Sequence, residues 1–132
     1  MSLYRGQGRA ISTFPTDNSA SEALVRFEGT ERRYGEVVAV GGVTCDIAAG
    51  SFVALVGSSG SGKSTLLKMV NTLVEPTGGR VLFAGEDVTS VPQARLRRRV
   101  GYVFQGIGLF PHFTVGENIA IGPRLAGETL SS

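Results

Sequence analysis

The chain has 132 residues, of which 42% are hydrophobic, so its length and composition suit one globular domain with a buried core. Thirteen Lys and Arg residues against eleven Asp and Glu residues leave a formal charge of +2, which is too small to argue for nucleic acid or an acidic membrane. Cys45 is the single cysteine, which excludes an internal disulfide and favours a reducing compartment. No segment approaches the roughly 20 apolar residues that span a bilayer.

The N-terminal third begins with a segment that lacks an apolar stretch of signal-peptide length, and residues 1–22 are predicted to be a flexible tail. Apolar and polar residues then alternate with period two over residues 24–29, which predicts a half-buried strand, and Tyr34-Gly35 marks a turn. A second strand is predicted over residues 43–47.

Residues 51–56 are apolar at nearly every position, which is typical of a strand that is buried on both faces. They run directly into a glycine-rich loop. After the loop, residues 64–74 place Leu66, Leu67, Val70 and Leu73 on one helical stripe, and residues 76–79 supply a stop. The sequence therefore predicts the order strand, loop, helix.

The next segment is predicted to contain two short strand pieces over residues 80–88, bent at Ala84-Gly85, and a short helix over residues 93–99. That helix carries Arg95, Arg97, Arg98 and Arg99. These arginines are interpreted as a solvated helix face, since no aromatic residues are interleaved with them as a nucleic-acid site would require.

Residues 100–104 are predicted to form another core strand, which ends at Gln105. Thr114 and Glu117 have the spacing of a capping box, in which each side chain bonds the other residue's backbone N–H, so a helix is expected to begin there. Gly122-Pro123 is expected to interrupt that helix after about two turns.

The glycine-rich segment has the pattern of a phosphate-binding loop. Its residues are Gly57, Ser58, Ser59, Gly60, Ser61, Gly62, Lys63, Ser64 and Thr65. Glycines let successive backbone N–H groups face a polyphosphate. Lys63 can reach the β- and γ-phosphates, the Ser64 hydroxyl can ligate Mg²⁺, and Thr65 offers a second hydroxyl. The alternative is a flexible serine-glycine linker, which has no reason to join a buried strand to an amphipathic helix.

Residues 34–121 resemble the first half of an ATP-binding-cassette (ABC) transporter ATPase subunit, matching it at several spaced motifs besides the loop. The resemblance implies an α/β fold of the P-loop NTPase type, with an antiparallel β segment, a partial parallel core and the start of a helical subdomain. It implies that ATP and Mg²⁺ bind, that Tyr34 stacks on adenine, and that Gln105 contacts Mg²⁺ or the attacking water. A tyrosine packed in a strand-end turn and a glutamine that caps a strand edge remain the alternatives.

Residues 106–119 strengthen the resemblance, because Leu-Phe-Pro-His followed by Thr-Val and Glu-Asn is characteristic of importer subunits. His112 is the single histidine, and it is expected on the surface that meets the membrane subunit and not in catalysis.

The resemblance assigns residues 23–132 to a partial ABC ATP-binding domain that ends after the Q-loop, the segment around Gln105. The family's signature motif, its Walker B strand with the adjacent Glu, and its H-loop histidine are not found after Gln105. Because these groups complete the transition-state site, we expect very slow hydrolysis or none by this chain alone. An exposed apolar strand edge is expected as well.

The leading hypothesis is an importer ATPase subunit, or its N-terminal piece, that binds MgATP at the cytoplasmic face of the plasma membrane. Its expected partners are transmembrane permease subunits and a second ATP-binding subunit, with no nucleic acid. Residues 68–71, 75–77 and 106–112 most resemble importers of glycine betaine, choline and related osmoprotectants, followed by importers of polar amino acids. The alternatives are a nucleotide-binding fragment without turnover and a soluble cassette protein of DNA repair or translation, against which the Phe-Pro-His segment argues.

Overall fold

A computed structural model describes residues 3–5, 9–11, 23–106 and 108–127 of the chain. The described elements are, in chain order, β1 (Leu3–Arg5), β2 (Arg9–Ile11), β3 (Ala23–Tyr34), β4 (Val37–Ala48), α1 (Lys63–Val70), β5 (Gly78–Phe83), β6 (Glu86–Asp87), α2 (Gln93–Arg99) and α3 (Val115–Leu125). The chain divides into two compact units, Met1–Arg97 and Arg98–Ser132.

The segment predicted to be a flexible tail contains β1 and β2, which pair antiparallel with Leu3 opposite Ile11. Residues 1–2, 6–8 and 12–22 lie outside the described residues. The tail over residues 1–22 therefore stays a prediction.

Strands β4, β3, β5 and β6 form one antiparallel sheet in that order. The alternation predicted for β3 is confirmed, since Val25 and Phe27 are buried while Leu24 and Arg26 are exposed. Both β3 and β4 are longer than predicted. Shifts of register after Phe27 and after Thr30 break the period of two, so the outer parts of these strands carry no regular alternation in sequence.

Helix α1 packs Leu66 and Met69 into the core of the first unit. The predicted stripe is wrong in part, because Leu67 is 50% exposed and the helix ends at Val70. The reason lies in the backbone, because the helix ends in a Schellman motif: the Leu73 N–H donates to the Lys68 carbonyl at 2.9 Å and the Thr72 N–H to the Met69 carbonyl at 3.3 Å. The Asn71 side-chain oxygen also accepts the Leu73 N–H, at 3.3 Å. Thr72 then takes a positive φ of 56°, which turns the chain out of the helix.

The predicted bend at Ala84-Gly85 is confirmed as the turn between β5 and β6. Both residues have positive φ, 49° at Ala84 and 80° at Gly85. Two consecutive positive φ angles characterise the type I′ turn, whose twist matches that of antiparallel strands.

The two strands predicted for a parallel core, over residues 51–56 and 100–104, are not formed within the described part of the chain. Phe52 and Val103, which lie in these segments, are each 94% exposed. A strand is held by hydrogen bonds to a neighbouring strand, and every ladder among the described residues is antiparallel and joins other segments. The apolar sequence alone is therefore not sufficient to form these strands.

Helix α2 forms where it was predicted, with Leu96 buried and its arginines exposed. The capping box at Thr114 and Glu117 is confirmed at the start of α3. The predicted interruption at Gly122-Pro123 is wrong, because α3 continues through Pro123 to Leu125. Pro123 lies in the last turn, and the N–H groups of Ala126 and Gly127 complete that turn with bonds to carbonyls of residues 122–124.

Candidate nucleotide-binding site

The loop before α1 is exposed, and the side chain of Lys63 folds back onto it. The Lys63 Nζ donates to the Gly57 carbonyl at 2.9 Å, to the Ser58 carbonyl at 2.8 Å and to the Ser61 Oγ at 3.2 Å. The Ser61 N–H closes the same loop with a bond to the Ser58 carbonyl at 3.2 Å. The ammonium therefore lies against the loop, where its three acceptors are uncharged oxygens.

The N-terminus of α1 has no side-chain cap, since Gly62 occupies the capping position. The first helical bond joins the Leu66 N–H to the Gly62 carbonyl at 2.8 Å. The N–H groups of Lys63, Ser64 and Thr65 consequently have no acceptor within the helix. The first turn contains no acidic residue. These N–H groups, the helix dipole and the Lys63 ammonium together favour an anion at this end of the helix.

Two glycines allow the close approaches in the loop. Gly62 has a φ of 90°, and a Cβ there would lie 2.2 Å from the Ala39 carbonyl oxygen of β4. A Cβ at Gly57 would lie 2.6 Å from the Ser61 Oγ. Only glycine permits the packing of residue 62 on β4, whereas a Cβ at residue 57 would require the Ser61 side chain to move.

The loop residues fit a polyphosphate with a bound magnesium ion. Donors to phosphate come from the N-terminal turn of α1 and from Lys63, while the exposed Ser64 supplies a hydroxyl. Within residues 23–106 and 108–127, no cluster of three or more His, Cys, Asp or Glu side chains could hold a metal. Mg²⁺ suits such a site, because it keeps several waters and takes its remaining ligands from one or two protein groups and the phosphates.

Tyr34 lies at the end of β3, paired with Val37 of β4 across a tight turn. The residue is 49% exposed, and the Arg32 guanidinium lies over its ring, 4.4 Å from the ring centroid. The same β4 strand contacts Gly62 through Ala39, so the hairpin of Tyr34 and the phosphate loop are neighbours in the first unit. Tyr34 has an open surface for a planar ligand, and its adenine-stacking role stays a prediction.

Gln105 and His112 belong to the second unit. Gln105 is exposed and follows a segment that forms no strand, so it caps no strand edge, and its contact with Mg²⁺ stays a prediction. His112 is also exposed and packs edge-on against Phe113, with ring centroids 4.6 Å apart.

Sequence reasoning missed two residues that organise these segments. Arg32 contacts Tyr34, and strand periodicity does not reveal this contact, because the register shifts on both sides of Arg32. The Asn118 side chain accepts the Phe110 N–H and donates to the carbonyls of Phe110, Phe113 and Thr114. No sequence signal identifies that role, since it depends on how residues 110–114 fold.

The localisation prediction has two elements, and the structure can be compared with the first. No helix in the described residues combines the length and apolar character that a membrane crossing needs. The second element, the cytoplasmic face of the membrane, stays a prediction.

The sequence profile of the ABC transporter family matches residues 40–131. The chain is 48% identical over 102 residues to the glycine betaine uptake system ATP-binding protein YehX of Escherichia coli (strain K12), covering 77% of this chain and 33% of that protein. It is 51% identical over 92 residues to the spermidine/putrescine import ATP-binding protein PotA of Acidothermus cellulolyticus, covering 70% of this chain and 24% of that protein. The chain thus spans about a quarter to a third of the length of these relatives.

The fold is similar to that of a solved ATP-binding cassette, a dimer in a post-hydrolysis state bound to ADP and Pi. The TM-score is 0.70 and the sequence identity 29%, over 83% of this chain and 50% of that one. The predicted α/β fold of the ABC ATPase type is thereby confirmed.

Proposed function

Because the chain belongs to the ABC transporter family, we propose that residues 57–65 bind the polyphosphate of MgATP. We also propose that the chain is the nucleotide-binding part of the ATP-binding subunit of an ABC importer. The observation that carries this proposal is the uncapped N-terminus of α1 beside the Lys63 ammonium. A polyphosphate offers charged oxygens to both. The neutral carbonyls that Lys63 now contacts are weaker acceptors than charged oxygens.

The residues of the loop have separate roles in this proposal. Lys63 exchanges its bonds to Gly57 and Ser58 for bonds to the β- and γ-phosphates, while the N–H groups of Lys63, Ser64 and Thr65 donate to phosphate oxygens. The Ser64 hydroxyl is the proposed protein ligand of Mg²⁺. When bound, ATP supplies the phosphoryl group whose transfer to water releases the free energy used in transport.

Two further residues extend the proposed site. Tyr34 offers its open ring surface to adenine, which its half-exposed position at the hairpin supports. Gln105 is proposed to contact Mg²⁺ or the attacking water and to couple the site to the transport subunits, which its match to the family's glutamine supports.

The proposed partners are transmembrane permease subunits and a second ATP-binding subunit, at the cytoplasmic face of the membrane. Phe110, His112 and Phe113 pack together in the second unit, and Phe110 and His112 are exposed, which supports a docking role for this segment. The proposed solute is an osmoprotectant or another quaternary amine, on the basis of the glycine betaine relative. The spermidine/putrescine relative makes polyamines the competing class.

The test is equilibrium binding of a fluorescent ATP analogue, with and without Mg²⁺, to the chain and to two lysine variants. Lys63→Ala is expected to weaken binding at least about tenfold, since it removes a charge-assisted contact to phosphate. Lys68→Ala removes the same charge from the last turn of the same helix and is expected to bind normally. Equal affinities of the two variants would contradict the proposal.

Phosphate release, measured in the same samples, distinguishes an ATPase from a nucleotide-binding fragment without turnover. Release that Lys63→Ala abolishes identifies an ATPase. Binding without release identifies a nucleotide-binding fragment without turnover.

A further inference from the structure

Arg32 and Tyr34 form a contact that the phosphate loop does not require. The Arg32 guanidinium carbon lies 4.4 Å from the centroid of the Tyr34 ring, well within the distance of a cation–π interaction. The Tyr34 residue remains 49% exposed despite this contact, which leaves part of its surface open to a ligand.

Arg32 is itself held in place by the segment that follows α1. Its Nη1 donates to the Glu75 carbonyl at 2.8 Å. On either side of Arg32, the Thr77 N–H donates to the Glu31 carbonyl at 2.8 Å, and the Arg33 N–H donates to the Thr77 Oγ1 at 3.0 Å. The end of β3 is therefore tied to the connection between α1 and β5.

The Arg32 Nε is buried and has no hydrogen-bond partner among the described residues. Leaving a buried donor unpaired costs free energy, so an arginine at this position needs a compensating contact. The Glu75 carbonyl and the Tyr34 ring are the contacts that the structure gives to its guanidinium. The ring contact is thus part of what holds Arg32 where it is.

We propose that Arg32 is a positioning residue for base recognition, which holds the Tyr34 ring so that its open face is preset for a purine base. The inference rests on the proposed function, since it concerns the base of the same bound nucleotide. A ring that is already ordered loses less rotamer freedom on binding. In this proposal Arg32 acts through the ring and is not one of the groups that bind the phosphates.

The experiment compares ATP with inorganic tripolyphosphate, which binds the phosphate loop but has no base. Binding of each is measured to the chain, Arg32→Ala, Tyr34→Ala and the double variant. Arg32→Ala is expected to weaken ATP binding about two- to fivefold and to leave tripolyphosphate binding unchanged. In the Tyr34→Ala background the same replacement is expected to have no further effect on ATP binding, because the ring it acts on is gone.

Two variants control for charge and for folding. Arg33→Ala removes the same charge from the next residue, which contacts Thr77 through its backbone N–H, and is expected to bind ATP normally. Arg32→Gln keeps a donor for the Glu75 carbonyl and removes the cation, and is expected to lose as much ATP affinity as Arg32→Ala. If Arg32→Gln binds ATP like the unaltered chain, the contact with Glu75 and not the ring explains the effect.

The remaining outcomes separate this inference from the proposed function. An equal loss of tripolyphosphate binding in Arg32→Ala, or an unchanged affinity for ATP, overturns the inference while the proposed function stands. If the unaltered chain binds neither ATP nor tripolyphosphate, the proposed function fails and the inference fails with it.

Discussion

At the residue scale, the position of the phosphate loop depends on one close approach between the backbone of the loop and the backbone of β4. Gly62 packs on the Ala39 carbonyl of β4, and Lys63 follows it as the first residue of α1. This contact sets where the helix begins, and it therefore also sets where the unpaired N–H groups of the first turn point. A side chain at residue 62 would displace the groups that are proposed to bind phosphate.

The matched pair Gly62→Ala and Gly60→Ala tests this contact. Both glycines have positive φ, 90° and 76°, so both replacements incur left-handed strain of about 1–2 kcal/mol. A Cβ meets the Ala39 oxygen at 2.2 Å only in the first case, while nothing lies within 4 Å of a Cβ at Gly60. We expect Gly62→Ala to lower the free energy of unfolding by at least about 1 kcal/mol more than Gly60→Ala, measured by urea denaturation. Equal losses would show that the contact with β4 is unimportant.

At the element scale, the start of α3 is held by local side-chain bonds. Glu117 accepts the Thr114 N–H at 2.7 Å and the Thr114 hydroxyl at 2.8 Å, while Asn118 bonds residues 110, 113 and 114. These bonds satisfy helix-terminal and loop groups that have no helical partner. The helix and the aromatic loop before it therefore form one hydrogen-bonded structure.

The pKa of Glu117 gives this structure a dependence on pH. Hydrogen bonds from the Thr114 backbone, and then from its side chain, lower that pKa from its ordinary value of 4.5. Because the folded-state pKa is the lower one, the carboxylate stabilises α3 at pH above 4.5, and this stabilisation is lost as the pH falls through the folded-state pKa. We expect the hydrogen-exchange protection factors of the α3 amides, corrected for the pH dependence of intrinsic exchange, to fall in acid.

Glu117→Gln is expected to remove the acid-dependent loss of protection. Glu36→Gln, in the exposed turn between β3 and β4, is the control and should leave it unchanged. The same pH profile in all three chains would mean that the capping box does not hold α3.

Elements that depend on local chemistry could be predicted from the sequence, whereas elements that depend on distant neighbours could not. The capping box, the Ala84-Gly85 turn and α2 each follow from residues close together in the chain. Residues 51–56 and 100–104 look like buried strands, yet a strand requires a paired neighbour, which the local sequence does not provide.

The same distinction applies to the site. Lys63 and its loop could be predicted because a continuous motif defines them, and the uncapped helix that follows fits the predicted chemistry. Arg32 could not be identified from a motif, since its role depends on the ring and the carbonyl that it contacts in three dimensions. The early end of α1 at Val70 depends on the positive φ of Thr72 and the backbone bonds that close the helix there, which helical periodicity does not reveal.

At the scale of the whole molecule, the chain combines a well-packed antiparallel sheet with apolar segments that have no cover in the described residues. Val40, Leu66, Met69 and Val81 are buried in the first unit, whereas Phe52 and Val103 are almost fully exposed. Large exposed apolar side chains mark surfaces that favour contact with other protein. The predicted apolar strand edge is not formed, because residues 51–56 are not a strand, although Phe52 and Val103 are exposed.

The measurement that tests the central claim most directly is a nuclear magnetic resonance titration of the backbone amides with MgATP. We expect the amides of residues 60–65 to shift together with one-to-one stoichiometry, because they surround the proposed phosphate site, and Lys63→Ala to abolish these shifts. Shifts that are absent, or that spread evenly over the chain and persist in Lys63→Ala, would contradict the assignment of this loop as the nucleotide site.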